Sequence, residues 1–293
     1  MFKNFIKVSF VFFVIIIFVV AVFRTIENYA FFAKADTGLL EVDFIDVGQG
    51  DASLIRTPDK QEILIDGGES EKILEELSKI ISPFDKYIDL LILTHPHSDH
   101  VGGLNFILDE YEVGQVLYTG AIHNSPEYIS FLEKIKEKEI VLEIVDHPQK
   151  IILGDDLFLE IVYPFSKENI DSSNLNNTSI VAKLAYKDTT FLFTGDIEEE
   201  IEEAILENYS NLDVDVLKVP HHGSDTSNTV EFLDAVQADY AVISVGANNY
   251  FGHPKNIVIS RLERGNVETF RTDLQGTISF SSNGENISVV TEK

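Results

Sequence analysis

The sequence predicts an α+β domain in which two mixed β-sheets pack face to face, with helices on the outer faces. Nine short β-branched apolar runs bounded by turn residues read as strands, and five stretches of helical periodicity lie among them. The order is neither strict strand–helix alternation nor all-β. At 293 residues, 44% hydrophobic and 24% charged, the chain is long enough to bury a core and too apolar to be disordered. The strands are expected at residues 40–45, 52–56, 62–65, 88–93, 115–118, 157–162, 179–186, 189–193 and 214–219. The helices are expected at 71–81, 126–138, 197–208, 230–236 and 254–264, with Ser70 capping the first and Asn228 the fourth. No Pro/Ser-rich linker and no fixed-period repeat divides the chain beyond Gly38, so residues 36–293 are expected to be one domain.

Residues 1–35 are a different kind of sequence. Lys3 and Lys7 precede sixteen uncharged, strongly apolar residues, 8–23, which Arg24 ends. The run marks a membrane-targeting hydrophobic helix. Its length falls between a signal-peptide core and the roughly 17 to 25 residues of a span, leaving a cleaved signal, with Ala33-Lys34-Ala35 as the cleavage site, and a retained anchor both open. Either sends the rest of the chain outward, through or onto the cell membrane. Loss of residues 1–35 changes the net charge from −27 to −30, because 18 basic and 48 acidic residues remain. So acidic a body excludes a broad basic surface for a phosphate backbone, and any nucleic-acid contact must be local. The absence of Cys excludes disulfide scaffolds, thiolate ligands and thiol nucleophiles, and suits an oxidising exterior.

The chemistry starts at Thr94-His95-Pro96-His97-Ser98-Asp99-His100, where three His and one Asp follow directly on a predicted strand. Packing needs no such density. Imidazole nitrogens and a carboxylate are the donor set of zinc and similar divalent ions, and a strand end presents them from a rigid base. Asp196 in Thr-Gly-Asp and His221-His222 in Pro-His-His-Gly-Ser lie at two further apolar strand ends. A carboxylate closing a buried strand is costly unless paired or metal-bound. His123 and His147 match no motif and read as solvated surface residues, and the Glu-rich helix 197–208 reads as a solvated face.

Together the HxHxDH string, the TGD and the HHGS resemble the metallo-β-lactamase superfamily. Within it, residues 46–52, 65–68, 176–179, 219–224, 244–246, 252–254 and 271–273 are similar to the carboxy-terminal domain of the ComEC competence proteins. Secreted phosphorylcholine esterases share the resemblance. It implies an αββα sandwich, the metallo-β-lactamase fold, with two divalent metal ions, Zn²⁺ or Mn²⁺, at one edge. The resemblance also assigns roles: His95 and His97 to one ion, Asp99 and His100 to the second, Asp196 to both. The last ligand is His221 or His222; the Pro-His-His-Gly alignment selects His222 and leaves His221 to substrate. Asn176 and Asn177 stand where lactamases place a further His, which disfavours lactam chemistry. Asp66, Asp51 and Asn177 are expected behind the ligands, and Asp99, His221 and His253 to act on the reacting groups. Glycines 48, 50, 67 and 68 are expected to allow tight turns or close approach.

The implied function is an extracytoplasmic phosphodiesterase or nuclease that uses a two-metal-activated water on a phosphodiester substrate, single-stranded DNA in the ComEC-like case. An envelope-polymer or phosphorylcholine-type esterase, and a non-catalytic envelope binding protein, are the alternatives. Tyr118, Tyr250 and Phe251 fall near loop or strand ends, where they either pack or stack a base or a quaternary ammonium.

Overall fold

The computed structural model describes residues 38–170 and 173–293; the apolar amino-terminal segment and the expected boundary at residue 35 lie outside them. Among the described residues no helix is long and apolar enough to cross a membrane. Gly38–Lys293 forms one compact unit.

Its strands are β1 (Leu40–Phe44), β2 (Ser53–Arg56), β3 (Glu62–Ile65), β4 (Tyr87–Ile92), β5 (Glu112–Tyr118), β6 (Val141–Ile144), β7 (Gln149–Gly154) and β8 (Leu157–Tyr163). They continue with β9 (Val181–Tyr186), β10 (Thr189–Phe193), β11 (Val216–Lys218), β12 (Tyr240–Ile243), β13 (Glu268–Arg271), β14 (Ile278–Ser282) and β15 (Ile287–Thr291). The helices are α1 (Lys72–Ile80), α2 (Ser98–Val101), α3 (Leu104–Glu110), α4 (Pro126–Glu137), α5 (Glu199–Asn208), α6 (Val230–Val236), α7 (Asn256–Arg264) and α8 (Thr272–Gln275). One sheet runs β15-β14-β1-β2-β3-β4-β5-β6 and the other β13-β12-β11-β10-β9-β8-β7. Both are mixed. β3 to β6 are parallel and the rest of the first sheet antiparallel. In the second sheet β10 to β13 are parallel and β7 to β10 antiparallel.

Three apolar layers follow from side-chain alternation along central strands that are buried on both faces. Phe44 of β1, Leu90 and Ile92 of β4, and Phe191 and Phe193 of β10 meet between the sheets. Leu91 and Leu93 face the opposite way, onto Leu77 of α1, Leu104 of α3 and Phe131 of α4. Leu192 and Leu217 face Ile201 and Ile205 of α5 and Phe232 of α6, while Ile243 meets Val258 and Leu262 of α7. Each fully buried Leu, Ile or Phe contributes about 1.5–3 kcal/mol. The expected αββα sandwich is therefore the observed one.

Several local expectations are corrected. Strands β6, β7 and β12 to β15, and helices α2, α3 and α8, go beyond those read from sequence. β6 is exposed along its whole length, so it carries no burial pattern, and β14 pairs with β15 on one side and returns to β1 on the other, Leu40 opposite Ser282. The cap of α1 is Glu71, with no side-chain bond, rather than Ser70; α6 is capped by Thr229, whose Oγ1 accepts from the Phe232 amide, rather than by Asn228. The acidic helix α5 is not wholly solvated. Glu202 is buried and accepts from the amides of Asn228 and Thr229 and from the Thr229 hydroxyl.

Candidate metal centre

The candidate residues leave the sandwich at one end, each just beyond the carboxyl end of a parallel strand. Asp66 follows β3, His95 to His100 follow β4, Asp196 follows β10, and His221 and His222 follow β11. Strand ends of this kind are where open parallel sheets gather ligand-binding groups. The backbone is bent to serve the cluster: Asp66, His221 and His222 have φ of 58°, 49° and 53°. Left-handed conformations in residues other than Gly cost about 1–3 kcal/mol each and persist where the surroundings impose them. Gly50, at φ +109°, lets the chain pass the Asp99 loop; a Cβ there would lie 1.9 Å from the Asp99 carbonyl oxygen. The next residue, Asp51, donates its amide to that same oxygen at 3.2 Å.

Oδ2 of Asp196 is the centre of the arrangement. It lies 3.3 Å from His100 Nε2, 3.3 Å from His222 Nε2 and 4.0 Å from His95 Nε2. His222 Nε2 is also 3.3 Å from Asp99 Oδ2, and His95 Nε2 is 3.0 Å from His97 Nδ1. The donor atoms of His95, His100 and Asp196, and separately of Asp99, His100 and His222, fall within 4.8 Å of one another. Nε2 of His100, Nε2 of His222 and Oδ1 of Asp196 are buried without a hydrogen-bond partner. Buried polar atoms are rarely left so. With imidazole nitrogens and carboxylate oxygens turned toward one spot, these residues fit a divalent cation.

The electrostatics agree. Burial opposes charge on His100 and His222, but the Asp196 carboxylate, helped by Asp66 at His100 and Asp51 at His222, holds both rings well above the usual histidine range. Burial opposes ionisation of Asp196 too, and the two rings outweigh it and hold its carboxyl well below the usual range. His95 is driven well below, by burial and by the neighbouring His100. Both rings thus favour the protonated form where a cation's charge would stand, and a cation must compete with those protons.

A buried outer ring fixes these rings. His100 Nδ1 donates to Asp66 Oδ2 at 2.8 Å, and Asp66 also accepts from the Thr94 amide at 2.8 Å and hydroxyl at 2.7 Å. His222 Nδ1 lies 2.8 Å from the Ser244 carbonyl and 3.2 Å from Asp51 Oδ1. Such contacts select the tautomer that turns Nε2 inward. Asp51 is held in turn by Lys218, 2% exposed, whose Nζ lies 2.5 Å from Asp51 Oδ2 and 2.9 Å from the Val219 carbonyl. Sequence reasoning missed Lys218; its signal is a lysine inside an apolar strand just before Pro-His-His.

His97 and His221 both stand outside the ligand groups, in the wall of the cavity; His221 has Nδ1 3.4 Å from Glu198 Oε1 and Nε2 3.4 Å from Asn176 Nδ2. Asn177 is not behind the ligands: its side chain accepts from the Glu198 amide and donates to Glu200, bracing the start of α5. Its neighbour Asn176 lines the cavity instead, because the 3-10 turn at Leu175–Thr178 points successive side chains in different directions. The cavity, about 560 Å³, is lined also by Gln49, Glu69, Glu127, Phe251 and His253. His123 is a second correction, since it lines this cavity with its ring 6.3 Å from that of His97; His147 is exposed beside Asp146. His253 also lies in the wall, its Nδ1 buried and unpartnered, and burial, with His221 beside it, pulls its pKa down to about 4. Tyr118 packs against the outer core, whereas Tyr250 and Phe251 are exposed.

A four-layer sandwich with a His and Asp cluster at its parallel strand ends defines a metal-binding α+β fold. The chain belongs to the metallo-β-lactamase superfamily, whose family model matches residues 45–247, and that membership implies divalent metal binding. It is 32% identical over 257 residues to ComE operon protein 3 of Bacillus subtilis, covering 82% of this chain and 33% of that protein. It is 30% identical over 236 residues to competence protein ComA of Neisseria gonorrhoeae, covering 80% of this chain and 31% of that protein. The chain thus spans about a third of the length of these relatives, and the resemblance read from its motifs holds. Among solved structures, CmlA, a diiron β-hydroxylase of Streptomyces venezuelae, superposes with TM-score 0.52 at 15% identity, covering 83% of this chain and 54% of that one. Igni18, a metallo hydrolase of Ignicoccus hospitalis, gives TM-score 0.51 at 17% identity, covering 82% and 98%. At such identities the likeness is one of fold.

Proposed function

We propose that this chain is an extracytoplasmic, metal-dependent phosphodiesterase that cleaves single-stranded DNA with two divalent ions, Zn²⁺ or Mn²⁺. The observation that carries the reading is Asp196 Oδ2, set among three imidazole nitrogens and buried at the floor of an open cavity. The competence relatives support DNA as substrate, and the apolar amino-terminal run supports the location. His95, His97 and Asp196 would hold one ion, and Asp99, His100, His222 and Asp196 the other. Bound there, the ions would lower the pKa of water and neutralise charge developing on phosphorus-bound oxygens.

The chain's own groups do the rest. Asp99, a fifth of its side chain open to the cavity, is held ionised, because the His222 and His100 rings outweigh its burial. Its carboxylate is placed to orient the attacking water and take its proton. The new bond joins water oxygen to phosphorus, the ester P–O bond breaks, and the departing alkoxide takes up a proton. Burial lowers the His221 pKa, so this ring stands neutral on the cavity wall, and the proton for that group comes from water. His253 is neutral at pH 7, so it acts as an N–H donor to a phosphoryl oxygen, not as an acid.

One observation favours a second reading. Among the described residues, those lining the cavity include Glu69 and Glu127 and neither Lys nor Arg, which suits a diester carrying a cationic group, as in a choline-bearing envelope polymer. Release of product from fluorescent single-stranded DNA and from bis-p-nitrophenyl phosphate, by the full chain with Mn²⁺ or Zn²⁺ beside a His97→Ala control, separates the readings. Both cleaved, and both lost in the control, is the expected result. Cleavage of the small diester alone selects the envelope esterase, and no cleavage with metal bound returns the chain to a binding role.

A further inference from the structure

The loop between Gly246 and His253 holds two large aromatic side chains in water at the mouth of the cavity. Tyr250 is 99% exposed and Phe251 58% exposed, and Phe251 is part of the cavity wall. A loose loop does not account for this. Asn249 donates its side-chain amide to the carbonyls of Gly246 and His253, at 3.0 and 2.7 Å, and accepts from the His253 amide at 2.9 Å. Lys255 Nζ holds the Phe251 carbonyl at 2.9 Å. The Phe251 ring lies parallel to that of His253, 8° apart with centroids at 5.9 Å, and Tyr250 stands across it at 83°. The Phe251 ring, with Tyr250 set across it, is therefore fixed as an aromatic plate beside His253 in the cavity wall. Among the described residues, the lining of the same cavity includes no Lys or Arg to meet the phosphates of a bound strand. A polynucleotide strand drawn in by ions at the floor finds no further cation along this wall, whereas aromatic stacking is indifferent to both charge and base identity.

We propose that Tyr250 and Phe251 form a stacking platform for the nucleobase next to the scissile phosphate of a single-stranded polynucleotide. The assignment rests on the phosphodiesterase reading, and its test is a binding measurement that does not need cleavage. In a His97→Ala background of the full chain, fluorescence anisotropy compares a labelled oligothymidylate with an abasic strand of equal length. The base-bearing strand is expected to bind about 10- to 100-fold more tightly. Phe251→Leu, which keeps an apolar side chain, and Tyr250→Ala should collapse that ratio toward one, and Phe251→Trp should restore it. A ratio near one in the starting protein, or one unchanged in Phe251→Leu and Tyr250→Ala, overturns the platform. So does a loop variant that leaves the ratio intact while weakening binding of glycerophosphocholine, because the plate then serves a quaternary ammonium. Failure of the His97-bearing chain to cleave any diester overturns the phosphodiesterase reading instead, and the affinity ratio still decides the platform.

Discussion

Lys218→Met tests whether the buried outer ring supports the cluster as the geometry requires. Lys218 and Asp51 are 2% and 4% exposed, and Asp51 Oδ1 is 3.2 Å from His222 Nδ1. Removing the cation leaves a carboxylate with no water to solvate it and no full counter-charge, a change that costs about 3–5 kcal/mol when one partner of a buried pair is lost. The Val219 carbonyl loses its donor as well. For a unit of this size roughly 2–4 °C accompanies each kcal/mol, so the midpoint should fall by about 6–20 °C. Urea denaturation followed by circular dichroism should show a lower midpoint at unchanged slope. Lys218→Met with Asp51→Asn removes the charge left behind and should be more stable than Lys218→Met alone, since a buried pair replaced as a whole is often neutral. Metal affinity should drop about 10- to 100-fold in the single variant, because the His222 ring loses part of its brace. A loss under about 1 kcal/mol, or a double variant that costs the sum of the two single ones, would refute the reasoning.

Three more outcomes are expected. Because His100 and His222 hold protons well above the usual histidine range until a cation displaces them, Mn²⁺ affinity should climb as pH rises through neutrality; calorimetry in buffers of different ionisation enthalpy should read the proton release, and a flat profile counts against the ligand assignment. Burial, with Asp85 nearby, raises the Glu62 pKa from 4.5 to about 8, so Glu62 contributes stability that is complete below pH 4.5 and lost as pH rises through about 8. Glu62→Gln should remove that decline, at most about 4–5 kcal/mol, and raise the melting temperature relative to the parent at pH 9, which thermal scans at pH 5 and 9 would check. Gly50→Ala puts a methyl 1.9 Å from the Asp99 carbonyl oxygen at φ +109° and should cost about 3 kcal/mol or more; a variant with parental stability and metal content would show that the Asp99 loop yields freely.

The acidic body and the polyanionic substrate proposed for it are reconciled by place. The fold sets the orphaned imidazoles and carboxylates at one end of the sandwich, so ions bound there would supply a local positive field in an otherwise negative molecule. Nothing in this requires a basic surface. On the proposed function it does require that ions be present for substrate to bind, which would tie affinity and catalysis to the same residues.

Ligand chemistry was legible in the chain because it is written in residue type and short spacing: His95, His97, Asp99 and His100 stand within six positions, and Asp196 and His222 each follow an apolar strand. The central strands were legible too, since burial on both faces leaves β-branched runs. Other features depended on distance along the chain or on local backbone angle. β14 pairs with β1 across more than 230 residues, and no local pattern announces such a partner. Which of two adjacent histidines turns inward rests on two successive left-handed residues after Pro220. Whether Asn176 or Asn177 faces the cavity rests on a single 3-10 turn, and His123 joins the wall only because its loop comes back over His97. Lys218 is an ordinary lysine until the Asp51 loop closes on it. Sequence by itself determined which groups are able to hold a metal, because that is a property of the side chains; tertiary structure decided which of them point at one another, because direction is set by packing and backbone conformation around the whole sandwich.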